Sequence, residues 1–137
     1  MLLPRAVLDS TVYVSAVAKG GAGALKTLEA WNDARFQLLL SGPIIEEAAR
    51  VLAQQGAPTS SIEKLTASLR HSARWVVSTE SITNCRDPDD NKVLEAAVAG
   101  NANYIVTDDK DLRALSPFRN IEIITVRRFL RKLGITK

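Results

Sequence analysis

A chain of 137 residues, 46% hydrophobic and 24% charged, is long enough for a domain with a real core and too apolar to stay disordered. Lysine and arginine exceed aspartate and glutamate by only 18 to 15, a formal charge of +3, so charge balance alone predicts no nucleic-acid partner. One cysteine, Cys85, and one histidine, His71, exclude an intrachain disulfide and a cysteine-based zinc site and argue against Cys–His chemistry.

Strand-like and helix-like segments alternate, which favours an α/β fold with a mostly parallel sheet. Residues 6–8 read as a buried strand and residues 11–18 as a short helix ending at Lys19-Gly20-Gly21. Residues 24–32 read as a helix with Leu25, Leu28 and Trp31 on one face. Residues 36–40 form the second strand. Ser41, with Pro43 in the first turn, is placed to cap a helix carrying Ile44, Ala48, Val51 and Leu52. Gly56-Ala57-Pro58 breaks that helix. Ser60-x-x-Glu63 reads as a capping box opening the next one, whose apolar residues are Ile62, Leu65 and Leu69. Residues 75–77 are a third short strand and residues 78–88 a loop. Residues 89–99 are a strongly apolar helix ended by Gly100 and Asn101. Residues 104–107 are a strand, residues 110–115 one or two helical turns, and residues 121–124 the last strand. Thr125 then caps a basic helix ending near Gly134. No linker, repeat or low-complexity tract divides residues 1–137, which read as a single domain. No apolar stretch could span a bilayer and no signal-peptide pattern opens the chain, so a soluble cytoplasmic protein is expected.

His71, beside Arg70 and Arg74, fits a solvated helix position, and Cys85 an inert one. Trp31, Trp75 and Phe129 fit apolar faces of the core. Gly20-Gly21-Ala22-Gly23 matches a phosphate-binding loop too poorly to count and reads as a flexible turn.

The acidic residues carry more information. Asp9 closes the first apolar run, and Asp108, Asp109 and Asp111 follow the strand that starts at Tyr104. Glu46 and Glu47, and Asp87, Asp89 and Asp90, open helices between those strands. Taken singly, each is an ordinary turn former, helix cap or solvated first-turn residue. Together they fall at one end of the predicted sheet, outside the carboxyl ends of the strands, where open α/β folds place their ligands. Unpaired carboxylates repel one another, so such a cluster calls for a divalent cation, and Mg²⁺ and Mn²⁺ prefer oxygen ligands. The pattern points to a carboxylate-lined metal site and metal-assisted chemistry on phosphate.

Four motifs carry a resemblance. They are Leu8-Asp9-Ser10-Thr11-Val12, Leu40-Ser41 followed by Glu46-Glu47, Arg86-Asp87-Pro88-Asp89-Asp90-Asn91, and the run from Tyr104 through Thr107-Asp108-Asp109-Lys110-Asp111 to Leu112. In this order and separation they resemble the PIN-domain family, and within it the VapC-like toxins of bacterial and archaeal toxin–antitoxin modules. The resemblance runs from the first strand to the last. It implies a three-layer α/β/α sandwich around a central, mostly parallel sheet, with a Mg²⁺- or Mn²⁺-dependent ribonuclease site. Carried over by motif, the catalytic residues are Asp9, Glu47, Asp90 and Asp109, and the metal ligands Asp9, Asp90 and Asp109. Glu47 holds the family's Ser-x5-Glu frame from Ser41, Asp90 ends the Asp-Pro-Asp-Asp run, and Asp109 stands two after Thr107. Glu46, Asp87, Asp108 and Asp111 remain neighbours able to share or shift these roles.

The chain departs from the family at Thr11, where Asn often stands. Thr can still donate a hydrogen bond to a carboxylate. The resemblance further implies an RNA substrate, a homodimer and a small antitoxin covering the site. Lys110, Arg113 and the basic C-terminal helix offer charge for an RNA backbone. The expected activity is metal-dependent endoribonucleolytic cleavage by a toxin of such a pair. The alternative is a catalytically silent PIN scaffold that binds RNA or a protein. A haloacid-dehalogenase-type phosphatase would want a second Asp two residues after Asp9, where Thr11 stands.

Overall fold

Ala6-Val7-Leu8 and Leu38-Leu39-Leu40 are apolar without alternation, the pattern of strands covered on both faces, and all six residues are buried. They form the middle of the sheet in the computed structural model, which describes residues 2–135. Among those residues the strands are β1 (Arg5–Leu8), β2 (Gln37–Leu40), β3 (Arg74–Trp75), β4 (Tyr104–Val106) and β5 (Glu122–Ile124). Every pairing is parallel, in the order β3-β2-β1-β4-β5. The sheet expected to be mostly parallel is wholly so. Parallel neighbours need crossovers, and these are the helices α1 (Ser10–Ala18), α2 (Ala22–Asn32), α3 (Gly42–Gln54), α4 (Thr59–Ser72), α5 (Pro88–Ala99) and α6 (Lys110–Arg113), with α7 (Val126–Lys132) following β5. The result is an α/β/α sandwich. The chain leaves β1 towards β2 on one side and later returns to β4 on the other, so the topological switch point lies between β1 and β4.

Helix α7 is pinned by Phe129, whose ring meets Phe36 edge-on at 4.9 Å and Tyr104 at 5.7 Å. Thr125 caps that helix as expected, its Oγ1 accepting from the Arg128 N–H at 3.1 Å. Other local expectations fail for identifiable reasons. Helix α2 buries its small face, Ala24, Thr27 and Ala30, while Leu25 is 42% exposed. The close packing explains this: a Cβ on Gly23 would stand 3.0 Å from Val126 Cγ1. The Ser60 capping box is absent, because α4 already begins at Thr59 after Pro58 and no side chain caps it. Ser41 occupies the N-cap of α3, yet its buried hydroxyl has no partner among the described residues. Strand β3 ends at Trp75, and Val77 is 83% exposed. Trp75 is not a core residue: it is 40% exposed and lies under the Arg70 guanidinium. Among the described residues no helix is long and apolar enough to cross a membrane.

Candidate metal centre

Asp9 is the first residue past β1, and its N–H still bonds to the Val106 carbonyl of β4 at 3.0 Å. That bond fixes its backbone beside the switch point. The side chain is buried, 4% exposed, which an unpartnered carboxylate would not tolerate. Hydroxyls supply the partners. Thr107 Oγ1 donates to Asp9 Oδ2 at 2.8 Å and Thr11 Oγ1 donates to the same oxygen at 3.0 Å. Oδ1 has only a long contact, 3.5 Å from Ser10 Oγ. Thr11 therefore does what the family's Asn was expected to do for Asp9. Burial raises the Asp9 pKa, the hydrogen bonds from Thr107, Thr11 and the Ser10 backbone oppose that rise, and the Asp109 charge adds to it.

Thr107 joins two strand ends. While its hydroxyl donates to Asp9, the same oxygen accepts from the Asp109 N–H at 3.0 Å. Asp109 in turn caps α6, its Oδ1 accepting from the Asp111 N–H at 2.9 Å. Asp87 caps α5 in the same way, bonding the Asp89 N–H at 2.9 Å. That cap sets Asp90 in the first turn of α5. Burial, then the charges of Asp109, Asp9, Asp87 and Asp89, push the Asp90 carboxyl up to about 6. Glu47, on α3, is half-buried. Burial first, then Asp89 and Asp9, push it up to about 7, against the Ser10 hydroxyl, which favours its charged form.

At the carboxyl edge of β1, β2 and β4, Asp9 lies in the field of Asp109, Asp90 in the fields of Asp109 and Asp9, and Glu47 in that of Asp9. The structure does not close them into a cage: among the described residues, no three acidic, histidine or cysteine side chains converge tightly enough to hold an ion. The donors are all carboxylate oxygens, the chemistry that Mg²⁺ and Mn²⁺ prefer. Other neighbours separate from this group. Glu46, Asp108 and Asp111 are exposed, and Asp108 Oδ1 accepts from the Val126 N–H at 3.4 Å. Asp89 stays with the group, acting on Glu47 and Asp90, and lies 3.7 Å from Arg50. Cys85 borders the acids, and burial together with Asp90, Asp109 and Asp87 raises its thiol pKa, which keeps it protonated and unreactive.

Two participants were not picked out from sequence: Thr107 as a bridge and Ser10 between Asp9 and Glu47. Thr107 carried a usable signal. A Thr two residues before an acid at a helix start commonly bonds the i+2 N–H.

Residues 5–111 match the PIN domain family. No curated protein matches the sequence. Solved structures that share the fold include these two. A chain of VapBC2 from Rickettsia felis, crystallised bound to a DNA fragment from their promoter, superposes with a TM-score of 0.62 at 15% identity, covering 88% of this chain and 98% of that one. The PIN domain of T. brucei RRP44 does so with a TM-score of 0.55 at 19% identity, covering 96% of this chain and 82% of that one. With the match extending from β1 into α6, the chain belongs to the PIN-domain family, whose members are generally nucleases.

Proposed function

We propose that residues 1–137 form one PIN domain that works as a Mg²⁺- or Mn²⁺-dependent endoribonuclease, the toxin of a toxin–antitoxin pair. One observation carries the reading: buried Asp9, at the end of β1, is tied through the Thr107 hydroxyl to the Asp109 N–H at the end of β4, beside the switch point where open α/β folds place their ligands. Buried carboxylates gathered there are what a divalent cation neutralises. Asp9, Asp90 and Asp109 would hold the ion. When bound, it supplies Lewis-acid charge that makes water a nucleophile near neutral pH and offsets charge developing on the phosphate.

The protein's own groups do the rest. Thr107 and Thr11 anchor Asp9 through Oδ2 and leave Oδ1 the less engaged oxygen. Thr107 also sets the Asp109 backbone, so the two acids move together. Glu47, titrating near neutrality, can take a proton from an attacking water and release it again. The bond from Thr11 to Asp9 favours this reading over a silent scaffold. The likeness to a VapBC2 chain supports the toxin–antitoxin setting, in which a small antitoxin, a homodimeric state and a cytoplasmic location belong to the same proposal. Incubating purified protein with circular single-stranded RNA tests it. Linearisation in Mg²⁺ or Mn²⁺ that EDTA abolishes is expected, and intact circles under every condition would overturn it.

A further inference from the structure

A groove of about 960 Å³ opens between α1, α2 and α7, and Thr11 and Asp108 are among the residues that line it. Thr11 is the residue whose hydroxyl holds Asp9, so the groove adjoins the acidic residues. Lys19, Lys26, Arg127 and Arg131 line it, against the single acid Asp108. Among the described residues none of these four cations makes an ion pair. Gly21 and Gly23 also line it, and a Cβ on Gly21 would run into Ser15 Oγ.

Four cations in a groove that adjoins the residue holding Asp9 match a chain of phosphates passing beside the acids. A folded acidic protein would satisfy the cations without any need for the groove to adjoin Asp9. We infer that this groove is the track for a single RNA strand, with Lys19, Lys26, Arg127 and Arg131 holding backbone phosphates and positioning the strand for cleavage. The inference rests on the nuclease reading, and the two are separable by experiment.

Binding is measured with a fluorescein-labelled oligouridylate in EDTA, using the Asp9→Asn protein so that cleavage plays no part. Four phosphate contacts predict a log Kd against log salt slope of about 2.8, and the double variant Arg127→Gln/Arg131→Gln should lower it by about 1.4. At about 0.1 M salt its affinity should fall by roughly an order of magnitude, and Lys19→Gln/Lys26→Gln should act alike. Lys64→Gln/Arg70→Gln, on α4, should leave both affinity and slope unchanged. Unaltered affinity in the groove variants, equal losses in the α4 variant, or groove variants that lose only an acidic peptide while RNA binding persists would each overturn the track. In parallel, the same substitutions are made in the chain with Asp9 intact. Cleavage unimpaired by the groove variants would sink the track and leave the nuclease standing. No cleavage by the native chain, with groove-dependent binding retained, would sink the nuclease and leave the track.

Discussion

Glu47→Gln should stabilise the metal-free protein at pH 8 and leave its stability unchanged at pH 4. The Glu47 carboxyl is raised from 4.5 to about 7 by burial and by Asp89 and Asp9. A folded-state pKa above the unfolded value means that the folded protein binds the proton more tightly. Stability therefore falls as pH rises from 4.5 towards about 7, and the penalty is fully present above that range. Below it, both states are protonated and the charge no longer matters. The whole interval would correspond to about 3 kcal/mol. Glu47 is half in solvent, which screens it from its neighbours, so about 1 to 1.5 kcal/mol is expected. For a chain of this size that is roughly 3–5 °C in Tm. Thermal unfolding followed by far-UV circular dichroism in EDTA reads it directly. An equal gain at both pH values would mean that the substitution acts through packing, and a loss at pH 8 would mean that the carboxylates do not repel. Either result refutes the electrostatic reasoning.

Other substitutions test how the site is assembled. Glu47→Gln should be severe for RNA cleavage and Glu46→Gln mild, because Glu46 is exposed and adjacent helical residues point about 100° apart; a rate assay showing the reverse ranking would shift the α3 frame by one residue. Among the acids after β4, Asp→Asn should damage cleavage most at Asp109, less at Asp111 and least at Asp108, with calorimetric Mn²⁺ affinity weakened chiefly at Asp109; greatest damage at Asp108 would contradict the turn geometry. Thr107→Val removes the donor to Asp9 Oδ2 and the acceptor of the Asp109 N–H, and should cost about 1–3 kcal/mol in urea unfolding and about 10- to 100-fold in cleavage rate. Wild-type stability and rate in that variant would show that the bridge carries nothing.

Much of this architecture was readable in the residues themselves. The unbroken apolar runs at Ala6 and Leu38 announce strands covered on both faces, and Thr125 announces a cap, because each depends on neighbours close in sequence. Helix α2 misled only at Leu25, which is exposed, whereas Leu28 and Trp31 pack against the core. Seeing that the small residues Ala24 and Ala30 are buried as well requires knowing that α7 packs as close as the Gly23–Val126 approach allows. Trp75 misled because aromatic bulk predicts burial, whereas β3 is an edge strand and its Arg70 partner lies on α4. At the site, the strand-end acids were legible from alternation and spacing. The hydroxyl web was not, since Thr107 and Asp9 are 98 residues apart and Ser and Thr at element ends are commonplace. Of the basic groove, the C-terminal helix with Arg127 and Arg131 was legible as charge for RNA, but its pairing with Lys19 and Lys26 was not, since only the tertiary fold brings those segments together.

The central claim is that RNA cleavage depends on a cation held at Asp9 and its neighbouring acids. The most direct measurement is the Mn²⁺-dependent cleavage rate of Asp9→Asn beside the native protein, with unfolding recorded on the same samples. Asn can keep the shape and accept from Thr107 while losing the ligand charge. A drop of about a thousandfold, reflecting several kcal/mol of lost transition-state stabilisation, in a protein at least as stable as the native one is the predicted result. Native-like cleavage by Asp9→Asn would contradict the account.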